Sequence, residues 1–135
     1  MKLLVLFLCL SLTASSQESW KIRVNDKLIL TSAREDEAKN VRAVKSARPN
    51  SLAINLTDKK AKKGWTRSII IVDENDQELF RKDKVTTLRL NSTQLRKLLS
   101  SGKTLRIFTI SLPDDPELAA RIRVRRVHLC TLNFS

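Results

Sequence analysis

The sequence predicts an all-β fold, an antiparallel β-sandwich of about seven or eight short strands with one short helix; a closed β-barrel is the alternative. Three observations carry that expectation. Apolar residues alternate with polar ones in stretch after stretch, turn residues punctuate those stretches, and no helical pattern is long enough for the crossovers that a parallel sheet needs. With two glycines in 135 residues there are few hinges for bending a sheet into a barrel, so the open sandwich is preferred.

Taken in order, Trp20, Ile22 and Val24 alternate with Lys21 and Arg23, Asn25-Asp26 makes a turn, and Leu28 and Leu30 resume the alternation as a first hairpin. Residues 40–44 form a weak strand. Leu52, Ile54 and Leu56 give a clean period of two, followed by a charged stretch, 58–63, and a Gly64-Trp65 corner. The β-branched run 66–72 (TRSIIIV) reads as a buried central strand, and 73–77 (DENDQ) turns it into a partner strand carrying Leu79 and Phe80. Leu88 and Leu90 flank Arg89 in another short strand.

One helix signal is complete. Asn91 stands as N-cap, Gln94 closes a capping box, Leu95, Leu98 and Leu99 share a face, and Gly102 is the expected stop. The run 104–112 (TLRIFTISL) is the longest apolar strand, and Asp115-Pro116 opens a single helical turn through Ala120. The last strand is expected over 121–132. There Ile122 and Val124 fall out of phase with Val127 and Leu129, so a bulge at Arg125-Arg126 is predicted, with Arg121, Arg123, the bulged arginines and His128 turned away from the core.

Domain organisation is simple. Met1-Lys2 and the apolar run 3–12 (LLVLFLCLSL), too short to span a bilayer, read with Ala14-Ser15-Ser16 as a signal peptide over 1–16, leaving one domain over 17–135. The chain is expected to be exported, periplasmic or extracellular, with no transmembrane segment. Removing Cys9 leaves Cys130 as the sole thiol, read as a small apolar residue of the last strand; pairing between chains is the other reading.

The stretch 123–132 (RVRRVHLCTL), with Gly64-Trp65 and residues 73–76 upstream, resembles a group of small exported β-sandwich proteins from Bacteroidota. That group carries no assigned activity. The resemblance therefore implies an extracytoplasmic bacterial address and transfers no site residue.

Catalytic signatures are scarce. No nucleophile elbow, phosphate loop, dinucleotide fingerprint or H-E-x-x-H helix occurs, so no cofactor is implied. His128 is the lone histidine, and Cys130 beside it cannot complete a tetrahedral zinc set; the run 73–76 starts like a calcium loop yet has neither the glycine at its sixth position nor the glutamate at its twelfth, where Lys84 stands. No metal is expected. The enzyme alternative is one of unrecognised type, combining carboxylates such as Glu35, Glu37 or Asp73 with His128.

Charge is the strongest chemical feature, at +12 for the whole chain. Lys59, Lys60, Lys62 and Lys63 precede Trp65, while Arg121, Arg123, Arg125 and Arg126 fall in the expected last strand. Together they are the candidate ligand-binding residues, with arginine forks and lysine ammoniums for carboxylate or phosphate and Trp65 as a stacking surface. The plain alternative is a solvated positive surface. The preferred reading is a non-catalytic binding or structural module for an anionic polysaccharide, a lipid headgroup or another exported protein. Export and the shortage of aromatic platforms argue against nucleic acid.

Overall fold

The computed structural model describes residues 18–46, 48–59 and 62–135. The expected signal peptide and Lys60 lie outside the described residues. Among the described residues nine strands and two short helices follow one another: β1 (Glu18–Val24), β2 (Lys27–Ser32), β3 (Val41–Val44), β4 (Ser51–Asp58), β5 (Trp65–Val72), β6 (Glu78–Lys82), β7 (Thr87–Asn91), α1 (Ser92–Leu98), β8 (Thr104–Pro113), α2 (Pro116–Arg121) and β9 (Val127–Phe134). They build a β-sandwich of two open sheets, one ordered β2-β1-β4-β7 and the other β3-β9-β8-β5-β6. No barrel closes.

The sandwich follows from period-two patterning. On the four-stranded sheet Trp20, Ile22 and Val24 of β1 stand opposite Leu56, Ile54 and Leu52 of β4, so one face is continuously apolar. It packs on Ile69, Ile71, Leu105, Ile107, Leu129 and Leu132 of the other sheet, while Leu95 of α1 completes the core. The β1–β2 turn puts Asn25 and Asp26 both at positive φ, 53° and 64°, the two-residue geometry whose twist matches a hairpin.

β5 has apolar residues on both faces. Ile70 and Val72 point outward with Phe108 and form a second, smaller cluster on the far side of the five-stranded sheet. This explains why its sequence is a continuous run instead of an alternation. The cluster is roofed by cations: the guanidinium of Arg126 lies 4.0 Å and that of Arg106 5.1 Å from the Phe108 ring centroid.

Several expectations need correction. The β3–β9 pair is parallel, so the five-stranded sheet is mixed. In β2, Ile22 faces Leu30 but Arg23 faces Leu28; Ile29 is therefore the extra residue of a bulge, and Leu28 is left exposed. α1 keeps its capping box but ends on Leu99, and Gly102 plays no part in the cap. The last strand is shorter than expected. Arg121 closes α2, residues 122–126 are irregular, and β9 starts at Val127. Its bulge falls on Leu129, because Ile107 pairs with Cys130 and Phe108 with His128. That extra residue turns both Leu129 and Cys130 into the core.

Candidate functional site

At one end of the sandwich three connections meet: β4–β5 and β6–β7 run between the two sheets, and β8–α2 leaves the five-stranded sheet. The β4–β5 connection ends in Gly64, whose φ of +80° lies in the left-handed region and favours glycine there. Its carbonyl accepts a hydrogen bond from the Asp114 N–H at 2.7 Å, which brings the β8–α2 connection alongside. The β6–β7 connection is stitched to both sheets: the Val85 N–H donates to the Arg67 carbonyl at 2.9 Å, and the Thr86 carbonyl accepts from the Leu56 N–H at 2.8 Å.

Between these connections lies a cleft of about 270 Å³. Lys62, Trp65, Thr66 and Arg67 line it from one side, Lys84, Val85 and Thr86 from another, and Ser111 and Asp58 complete it. A second hollow of about 260 Å³ shares Asp58, Lys62, Trp65, Arg67 and Ser111 and adds Glu18 and Val124. Lys62 places its ammonium 5.5 Å from the Trp65 ring centroid. Lys84 holds a left-handed backbone, φ 58°, a conformation that costs a non-glycine residue about 1 kcal/mol or more.

Arg67 forms the cleft floor, and its fork is fully engaged. Its side chain is 9 % exposed. Nε and Nη2 donate to Asp58 Oδ2 at 3.3 and 2.9 Å, Nη2 also pairs with Glu18, and Nη1 reaches Thr109 Oγ1 at 3.5 Å. This residue ties β5 to β1 and β4 across the sandwich end. It is not offered to a ligand as a bidentate receptor.

The candidate residues from the sequence are thus partly gathered and partly dispersed. Lys62 and Trp65 stand in the cleft, and Lys59 and Lys63 are exposed on the same connection. Lys60 lies outside the described residues. The arginines do not form the outward row of a strand. Arg121 ends α2, Arg123 is exposed, and neither joins an ion pair among the described residues. Arg125 donates to Glu35 Oε1 at 2.5 Å, and Arg126 pairs with Asp76 while covering Phe108. Only Val124 of that segment reaches the hollow, so the expected pooling of both clusters is limited to a shared border.

His128, expected on the face turned away from the core, lies on that face against Phe108 but is buried there, 1 % exposed. Its ring sits edge-on to Phe108, centroids 5.3 Å apart, with Nε2 2.7 Å from Thr131 Oγ1 and Nδ1 without a hydrogen bond among the described residues. Burial lowers its pKa, and Arg106 and Arg126 act in the same direction against Glu37 and Glu35. Glu35 accepts from the His128 backbone N–H at 2.6 Å, not from the ring. Burial pushes the Glu35 carboxyl up, but the hydrogen bonds from Arg125 and the His128 N–H outweigh it and leave it below its ordinary value.

The other carboxylate of the enzyme alternative, Asp73, accepts from the Asn75 and Gln77 N–H groups at 2.8 and 2.9 Å and holds the β5–β6 turn. It is engaged in turn geometry, remote in role from His128. Cys130 is buried in the core, and burial pushes its thiol up to about 12, far from a reactive thiolate. Among the described residues no three His, Cys, Asp or Glu side chains gather as a metal set, and no helix is long and apolar enough to cross a membrane.

Sequence reasoning missed Arg67, Lys84, Thr66, Thr86 and Ser111. Arg67 did leave a signal, since a charge inside the run TRSIIIV requires a buried partner. Thr66 follows Trp65 in β5, whereas Lys84, Thr86 and Ser111 became its neighbours only through the crossing of β6–β7 and the end of β8. Fold and cleft define a small two-sheet β-sandwich with a basic, tryptophan-walled end cleft. No family model matches the chain, and no curated protein matches it.

Proposed function

We propose that the protein is an exported, non-catalytic binding module that takes anionic ligands at the sandwich end. The signal-like segment 1–16 and the resemblance to exported Bacteroidota proteins support the address. One observation carries the binding role: Lys62 and Lys84 face one cleft beside Trp65 with no ion pair among the described residues, while Arg125 and Arg126 are held by Glu35 and Asp76. Lys59 and Lys63 extend the positive field along the cleft's border. The partners that fit are anionic polysaccharide, an anionic lipid headgroup or an acidic face of another exported protein.

Retention of the mature protein on immobilised heparin, read as the salt concentration for elution, tests this. Changing Lys59, Lys60, Lys62 and Lys63 together to Glu is expected to move elution to much lower salt and to flatten its salt dependence. Elution unchanged by that reversal would contradict the proposal.

A further inference from the structure

Resting on that reading of the end cleft, we infer that the cleft holds one sugar ring bearing an anionic group, a uronate or a sulfated sugar, against Trp65. Four features of the cleft select this chemistry.

Size comes first. At about 270 Å³ the cleft falls just below the roughly 300–1,000 Å³ of pockets that enclose drug-sized ligands, so it accommodates one ring with its substituents. A longer chain would continue past it over the shared border into the second hollow.

Charge comes second. Among the described residues the cleft lining carries three cations, Lys62, Arg67 and Lys84, and one carboxylate, Asp58, so it is net positive and suits an anionic substituent. With the Arg67 fork engaged, the ammoniums of Lys62 and Lys84 are the donors, and lysine suits a point anion on a ring edge.

Hydroxyl chemistry is the third feature. Thr66, Thr86 and Ser111 line the cleft, and their hydroxyls enter no hydrogen bond among the described residues. Nearby hydroxyls are used internally: Ser68 donates to Asp83 at 2.5 Å and Thr109 to the Ser68 carbonyl at 2.9 Å. Each free hydroxyl offers one donor and two acceptor positions, the same inventory that a sugar hydroxyl carries.

The fourth is the tryptophan. Trp20 is buried and its indole N–H donates to the Leu129 carbonyl at 2.9 Å, whereas Trp65 is half-buried on the cleft wall and its N–H has no partner among the described residues. Trp65 thus presents an apolar face with an unused polar edge, the pairing of surfaces that a sugar ring also has.

Trp65 is its own probe, since Trp20 is sealed in the core. Fluorescence of the mature protein is titrated with methyl glucuronoside, glucose 6-sulfate, methyl glucoside and acetate. Saturable change with one or both anionic sugars is expected, the one that binds identifying the anion, with no comparable change from the neutral sugar or the bare anion. Trp65→Phe should abolish the change, and Lys62→Gln with Lys84→Gln should weaken affinity at least about tenfold, as loss of a charge-assisted hydrogen bond does. Thr86→Ala with Ser111→Ala should weaken the sugar response, because it removes two of the cleft hydroxyls. Acetate matching the anionic sugars, or no response to either of them, overturns the sugar inference. Heparin retention decides the anion reading separately.

Discussion

Two positively charged regions of this protein have opposite fates. Ahead of β9, Arg125 and Arg126 close onto Glu35 and Asp76, and Arg106 joins Arg126 over Phe108, so cation, carboxylate and aromatic ring satisfy one another. At the end cleft Lys62 and Lys84 meet Trp65 and uncommitted hydroxyls and form no ion pair among the described residues, where Asp58 and Glu18 pair with Arg67. Clusters of like charge in a sequence are therefore not equivalent. What separates them is the position of acids 50 and 90 residues away, which only the fold decides.

The largest effect that sharpens this contrast belongs to Arg67. Arg67→Ala takes the guanidinium away from the Asp58 carboxylate, 15 % exposed, and removes the tie between β5, β4 and β1. Destabilisation of about 3 kcal/mol or more is expected in chemical denaturation, the cost of breaking a buried pair from one side. A mild change would mean that the cleft floor is not a structural clasp, and Arg67 would return as a ligand contact.

A smaller effect comes from His128, beneath the arginine roof. Its folded pKa is depressed by burial, so the native state takes up a proton less readily than the unfolded chain. Stability is unaffected by this group above the ordinary value of 6.5 and falls as pH drops below it, until the folded pKa is passed. Denaturation midpoints at pH 7.5 and pH 5.5 should differ in the wild type and converge in His128→Gln. A pH dependence that survives the substitution would assign it to other groups, although Glu35 and Asp83, both lowered, act in a more acidic window.

The smallest effect is expected at Arg125, a solvent-exposed partner of Glu35. Arg125→Ser should leave the denaturation midpoint close to wild type, because exposed ion pairs contribute little. A large drop would show that Glu35 needs this arginine to hold the His128 N–H and the start of β9.

Much of the fold is legible in the sequence alone. Local rules sufficed for Leu52, Ile54 and Leu56 in β4, for the Asn25-Asp26 turn, and for the Asn91–Gln94 capping box, because each rests on neighbours in sequence. The approach to β9 was misread for the same reason. Ile122 and Val124 alternate like a strand, yet α2 runs to Arg121 and uses Ile122 as its C-cap, and the phase correction is made later, at Leu129, by pairing with β8. The parallel placement of β3 against β9 has no local signature either. For the site, Lys62 and Trp65 were legible as a lysine run before a corner. Lys84 and Ser111 were not, since they enter the cleft from connections brought together by sheet order.

The central claim, that open lysines and not closed arginines bind anions, is tested most directly by two variants of equal charge change on the same heparin column. Lys62→Gln with Lys84→Gln is compared with Arg125→Gln with Arg126→Gln, each first shown to be folded by circular dichroism. The lysine pair is expected to elute at clearly lower salt and the arginine pair near the wild-type position. Equal shifts, or a larger shift for the arginine pair, would contradict it, because retention would then follow net charge or the arginines and not the cleft.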